Sequence, residues 1–143
     1  MISASWKSVL YFTPDEFDDP AHPGSGKYID SLLVLLLDKL RITINAPIIT
    51  HWQVGGAVDV HGTHGHAPDS YHLLGKGCKA VDFHIKTHQL LREQYNFVCQ
   101  AGFAGIGLYP YWNSPGFHVD VRPKHMTNHW YSPSPKIYKM IFP

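Results

Sequence analysis

Ile29, Leu32, Leu33, Leu36 and Leu40 recur at three- and four-residue steps. That is the spacing of one buried helical face, and it predicts a helix opening at Ser25 and running to about Lys39. Upstream, Thr13-Pro14-Asp15-Glu16-Phe17 has the marks of a helix start: a hydroxyl cap, a proline at the first helical position and acids in the first turn. Pro47-Ile48-Ile49-Thr50 reads as a short β-branched strand. Lys79 to Ile85 alternates, with Ala80, Asp82 and His84 on one face and Val81, Phe83 and Ile85 on the other. Thr87 is expected to cap a second helix through about Gln100, with Leu91, Tyr95 and Val98 on one side and Gly102 as its stop. Two more strands follow, Gly105 to Tyr109 and Phe117 to Arg122.

These elements predict an α+β fold, a small antiparallel sheet flanked by helices. Residues 1–143 form one domain, and its last stretch, 131–143, carries Pro133, Pro135 and Pro143 and is expected to lie along the surface as a tail. Residues 51–71 make a long polar loop rich in Gly and His, a length that in compact domains usually has a functional cause.

Composition narrows the function. A chain of 143 residues with 44% hydrophobic and 16% charged residues is globular and not disordered. A net charge of +1 without a Lys/Arg run argues against a dedicated nucleic-acid surface. The longest apolar run, Leu32 to Leu37, is far short of the ~18 residues a membrane span needs. No secretory signal is legible at Met1-Ile2-Ser3-Ala4-Ser5, so the expectation is synthesis in the cytoplasm. Cys78 and Cys99 read as free thiols. The one excess is eleven histidines, as many as Asp and Glu together, and it makes metal chemistry the first question.

Serine-nucleophile and phosphate-loop chemistries do not fit. There is no Gly-x-Ser-x-Gly elbow, and Gly75-Lys76-Gly77 has neither the preceding glycine nor the following hydroxyl of a phosphate loop. Polar strand faces do carry chemistry. His118, Asp120 and Arg122 share one face, as do Ala80, Asp82 and His84, while the opposite faces are apolar. Two imidazole nitrogens and a carboxylate oxygen suit Zn²⁺, and three protein ligands leave a fourth position open, the pattern of a catalytic site.

The motifs Ser70-Tyr71-His72-Leu73-Leu74-Gly75, Ala80-Val81-Asp82 and Gly116-Phe117-His118-Val119-Asp120-Val121-Arg122 resemble those of the M15 family of zinc D,D-carboxypeptidases and peptidoglycan endopeptidases, which share the hedgehog fold. The resemblance extends over about residues 11–131 and takes in Tyr11 to Phe17, Pro47 to Thr50, Gly105 to Pro110 and Trp130. It implies a Zn²⁺ cofactor held by His72, Asp82 and His118, and cleavage of peptidoglycan stem peptides or cross-links. It further implies an enzyme acting on the cell wall, such as a phage lysis or tail enzyme exported by other means. The alternative is a non-catalytic, metal-stabilised binding or phage tail structural module of the same fold.

The chain departs from the family at three places. Asp82 follows His72 by ten residues where seven is usual, with Gly77-Cys78-Lys79 as the apparent insertion. Pro115 stands where many members carry an acidic general base, and Thr50-His51-Trp52-Gln53 stands where an arginine often follows the strand. Asp120 is then the candidate base, or else the carboxylate that orients a ligand histidine. Arg122 is the candidate grip on a substrate carboxylate. Because His72 and His118 must be neutral to bind, activity should fail below about pH 6.

His61, His64 and His66 read as incidental residues of a floppy loop, with substrate binding or a second, weak metal site as the other reading. His84 lies beside Asp82 and is a candidate for supporting it; His125 and His129 read as loop residues, and His51 and His88 are unassigned. Trp52, Tyr71, Tyr109, Tyr111, Trp112 and Trp130 are either groove-lining or packed aromatics.

Overall fold

The computed structural model describes residues 6–141. Six strands form one mixed sheet: β1 (Ile48–Thr50), β2 (Ala80–Ile85), β3 (Gly105–Tyr109), β4 (Gly116–Asp120), β5 (Asn128–Ser134) and β6 (Ile137–Ile141), in the order β1-β2-β4-β3-β5-β6. Two helices, α1 (Ser31–Ile44) and α2 (Leu91–Ala101), share its core. The α+β class is as expected. The sheet is not wholly antiparallel, however, because β5 runs parallel to β3.

α1 opens at Asp30, not at Ser25. The Asp30 carboxylate accepts the Leu32 and Leu33 N–H groups at 2.8 and 3.2 Å, which satisfies two of the helix's orphan donors. Ser25 instead begins a separate 3₁₀ turn, and its hydroxyl accepts the Asp19 N–H at 2.9 Å. The later start rotates the buried stripe to Leu33, Val34, Leu37, Leu40 and Ile44, leaving Leu32 exposed. Thr87 does not cap α2 either; its hydroxyl accepts the Gln89 N–H at 3.3 Å in the preceding turn. Gly102, at φ 102°, ends α2 as expected.

The expected surface tail is a hairpin. β5 pairs with β3, and β6 then turns back at Pro135-Lys136 to pair antiparallel with β5. Pro133 lacks an N–H, and the ladder is irregular between Tyr131 and Ser134, where that donor is missing.

The alternation on β2 and β4 sorts the sheet into two faces. Val81, Phe83, Phe117 and Val119 are fully buried, and with Ile106 and Leu108 they meet the helices in one core. Each such side chain contributes roughly 1.5–3 kcal/mol by leaving water. The polar residues of the same strands are thereby forced to the other face.

Replacing Asp30 by alanine should cost about 1 kcal/mol, whereas Thr87→Ala should change stability by less than about 0.5 kcal/mol. Chemical denaturation of the two variants checks this pair of expectations, and equal costs would contradict the cap assignment.

Candidate metal centre

Register builds the site. Asp82 on β2 faces His118 on β4, His118 faces Gly107 on β3, and Gly107 faces Trp130 on β5. Residues of one such row project to the same face of a sheet, so Asp82, His118 and Trp130 stand together opposite the phenylalanine core. Gly107 is required here. A Cβ at that position would come 2.4 Å from the Trp130 ring, and its absence lets the indole lie 5.3 Å from the His118 ring, centroid to centroid. The Trp130 Nε1–H donates to the Tyr109 hydroxyl at 2.9 Å, fixing the ring.

His72 comes from the long loop and is nearly fully buried. Its N–H donates to Ser70 Oγ at 3.2 Å and its carbonyl accepts the Asp59 N–H at 3.1 Å, which holds the Ser-x-His turn against the sheet. Gly77-Cys78-Lys79, expected from the motif spacing to be an insertion, lie just before β2. Gly77 and Cys78 take positive φ, the Cys78 side chain is fully buried, and its carbonyl accepts the Asp30 N–H at 3.0 Å. Cys78 thus packs in the core, while Gly77 and Lys79 on either side of it are half-buried. Burial pushes the Cys78 thiol up to about 12, so it is an inert packing residue.

The structure brings the three expected ligands together. His72 Nε2 lies 3.1 Å from Asp82 Oδ1, His118 Nδ1 lies 3.0 Å from the same oxygen, and the two nitrogens are 3.3 Å apart. Ligand atoms about 2.0–2.2 Å from a tetrahedral Zn²⁺ sit roughly 3.3–3.5 Å from one another. The trio is already close to one face of that tetrahedron.

Its protonation pattern points the same way. His72 Nδ1 faces the Ala57 carbonyl at 2.9 Å, and a carbonyl can only accept, so Nδ1 carries the hydrogen. His118 Nε2 faces the Asp120 carboxylate at 2.8 Å and donates to it. In their neutral forms the two rings would therefore turn the lone pairs of their opposite nitrogens onto an oxygen that also carries lone pairs. Only protons or a cation relieve that arrangement, and buried groups able to hold a metal ion are what the donor set amounts to. Without a metal, a proton is the remaining option. Burial opposes charge on His118, but hydrogen bonds to Asp120 and Asp82 outweigh it and raise the imidazole to about 9. Burial likewise opposes charge on Asp82, yet His72 and His118 hold its carboxyl far below the usual range.

Asp120 sits behind His118. It is fully buried; Oδ2 accepts from His118 Nε2 and Arg122 Nη2, while Oδ1 accepts from Arg122 Nε and the Arg122 N–H. Of the two roles open to it in the sequence, this is the placement of the carboxylate that orients a ligand, not of a base exposed to substrate. Arg122 turns its guanidinium fork inward on Asp120 at 2.7 and 2.8 Å, between the Tyr71 and Trp130 rings. It is thus a strut for Asp120, at odds with a free clamp for a substrate carboxylate.

An open cleft of about 1110 Å³ lies over the trio. Tyr109 and Trp112, stacked at 4.4 Å, form part of one wall together with Tyr111 and Trp130. His51 Nε2 and His84 Nδ1 are 2.9 Å apart beside Asp82's strand, so His84 pairs with His51 and not with Asp82.

The loop histidines were the least legible part of the site. They go to three different places and do not converge on one point. His61 packs edge-on against His22; His64 Nε2 meets Asp19 Oδ1 at 2.7 Å; His66 Nδ1 meets Asp59 Oδ2 at 2.9 Å. Far from floppy, the loop is anchored by two fully buried carboxylates, which also accept the N–H groups of Ala21, Val60, Gly62 and Thr63. Those bonds occupy the oxygens of Asp19 and Asp59, so the Asp19–Asp59–His64 group is a loop anchor although its ligand atoms lie within 4.8 Å of one another. His129 is also not a loop residue. It stands on β5, and its Nδ1 and the Tyr95 hydroxyl share a hydrogen bond of 2.8 Å. The spacing of the loop histidines gave no sign of their carboxylate partners, which come from distant segments.

No protein-family model, curated protein or solved structure matches this chain.

Because His118 is protonated below about 9 in the metal-free protein, metal uptake at pH 7 should displace a proton from it. Apparent affinity should then rise roughly tenfold per pH unit as the pH climbs toward that value. Titration calorimetry of zinc binding in buffers of different ionisation enthalpy measures the release. Affinity independent of pH between 6 and 9 would contradict it.

Proposed function

We propose that this chain is a zinc-dependent hydrolase of the M15-like, hedgehog-type fold that cleaves peptide bonds in the stems or cross-links of bacterial peptidoglycan. The observation that carries the reading is the convergence of His72 Nε2, Asp82 Oδ1 and His118 Nδ1 within 3.3 Å, at the positions the family-like motifs mark. His72, Asp82 and His118 would hold a zinc ion there, which would supply the lowered pKa of a bound water, about 7, and polarisation of a carbonyl.

The chain's own residues do the rest. Ala57 and Asp120 hold a hydrogen on the outer nitrogen of His72 and of His118, so both rings are correctly turned and aim their inner nitrogens at the metal position. Arg122 keeps Asp120 ionised, since its hydrogen bonds and charge, with those of His118, hold that carboxyl low against the opposing effect of burial. Trp130 covers one flank of His118 and limits water on that side. The cleft leaves the other side open and is large enough for an extended peptide with part of its neighbouring chain.

Zymography on purified wall material is the test. Clearing should disappear on chelation and return with zinc, and His118→Ala should lose at least about 100-fold in rate while keeping its far-ultraviolet dichroism. Mass spectrometry of the released muropeptides then identifies the bond. A His118→Ala protein that clears at the wild-type rate, or a zinc-loaded wild type that clears nothing, overturns the reading. The second of these outcomes leaves a non-catalytic module of the same fold.

A further inference from the structure

His66 is one of the polar groups lining the cleft that the proposed function does not use. It lines the cleft, and its ring stacks on that of the ligand His72 with centroids 4.0 Å apart and planes within 5°. Its ligand atom lies within 4.8 Å of those of His72 and Asp82, which makes it a fourth-ligand candidate by distance. Ring geometry argues against that. An imidazole nitrogen directs its lone pair in the ring plane, so an ion bound by His72 lies in the plane of His72. Stacked, parallel planes share no such point, so an ion held by one ring is displaced from the plane of the other.

Its second nitrogen has a defined state. Nδ1 donates to Asp59 Oδ2 at 2.9 Å, and Asp59 is fully buried and fixed by three further backbone N–H groups, those of Gly62, Thr63 and His64. Nε2 then carries a lone pair, and it has no hydrogen-bond partner among the described residues.

We propose that His66, oriented by Asp59, is a catalytic residue that meets the attacking water beside the three ligands, and is not itself a ligand. This rests on the peptidase reading. In the step it serves, the water oxygen bonds to the scissile carbonyl carbon and the C–N bond breaks. One water proton passes to His66 Nε2 and from there to the leaving amine nitrogen, so the ring ends as it began. Asp59 is a positioning residue for it, in the manner of a carboxylate behind a catalytic imidazole.

The experiment uses the full chain and three measurements. Zinc affinity, read by competition with a chromophoric chelator, should change less than about 3-fold in His66→Gln and fall at least about 100-fold in His72→Ala. The visible spectrum of the cobalt-substituted protein should be the same for wild type and His66→Gln. Turnover of wall peptide by His66→Gln should drop by about 100-fold or more, in kcat and not in KM. Acetohydroxamate, an oxygen-donor probe of the cleft, should bind His66→Gln at least about 10-fold more weakly. Asp59→Asn should move turnover the same way with zinc affinity retained; if that variant does not fold, His66→Gln decides alone.

A loss of zinc affinity in His66→Gln matching that of His72→Ala would make His66 a ligand and overturn the proposal. So would unchanged turnover together with unchanged acetohydroxamate affinity. If wild type binds zinc but cleaves no wall peptide, the peptidase reading fails by itself. The acetohydroxamate comparison still decides whether His66 faces the reacting oxygen.

Discussion

Three lone pairs aimed at one point are the constraint on which this structure turns. A neutral imidazole presents a bare nitrogen only if its other nitrogen is held to an acceptor, and both His72 and His118 are so held. Asp82 completes the set from the strand beside His118. Bringing these atoms within 3.3 Å of one another is unfavourable for the chain alone. A cation turns that cost into binding energy; in its absence the hydrogen bonds to Asp120 and Asp82 favour a proton on His118 and push its imidazole up against the opposing effect of burial.

The sheet makes the arrangement rigid. A slip of one residue between β2 and β4 would send Asp82 or His118 into the phenylalanine core, so burial of Phe83 and Phe117 is also what keeps the ligands in register. Behind the ligands, a line of charge runs from His118 to Asp120 to Arg122 and ends between two aromatic rings. Gly105 lies beneath this line, and a Cβ there would come 2.2 Å from the Asp120 carboxylate. The small residues of β3 therefore make room for the supporting groups of β4 and β5.

Period-2 alternation made β2 and β4 legible in the sequence, and with them the polar faces that carry Asp82 and His118. The motif resemblance supplied His72, which no periodicity marks. Helix starts were less legible, because Ser25 and Asp30 are both acceptable caps and only the tertiary demand on the Ser25 hydroxyl separates them. The β5–β6 hairpin was hidden by Pro133 and Pro135, residues that argue against strands unless the bulge and the turn they occupy are known. His66 was hidden for a different reason. Its meaning comes from Asp59 and from a ring stacked on His72, contacts between segments whose proximity no local pattern encodes.

X-ray absorption spectroscopy at the zinc edge, on the protein loaded with one equivalent of zinc, tests the central claim most directly. The account predicts a four-coordinate ion with two nitrogen scatterers and one carboxylate oxygen from the protein and one exchangeable oxygen, all at about 2.0–2.2 Å. A shell of four protein ligands, a sulfur scatterer, or a spectrum unchanged by replacing His72 and His118 would contradict it.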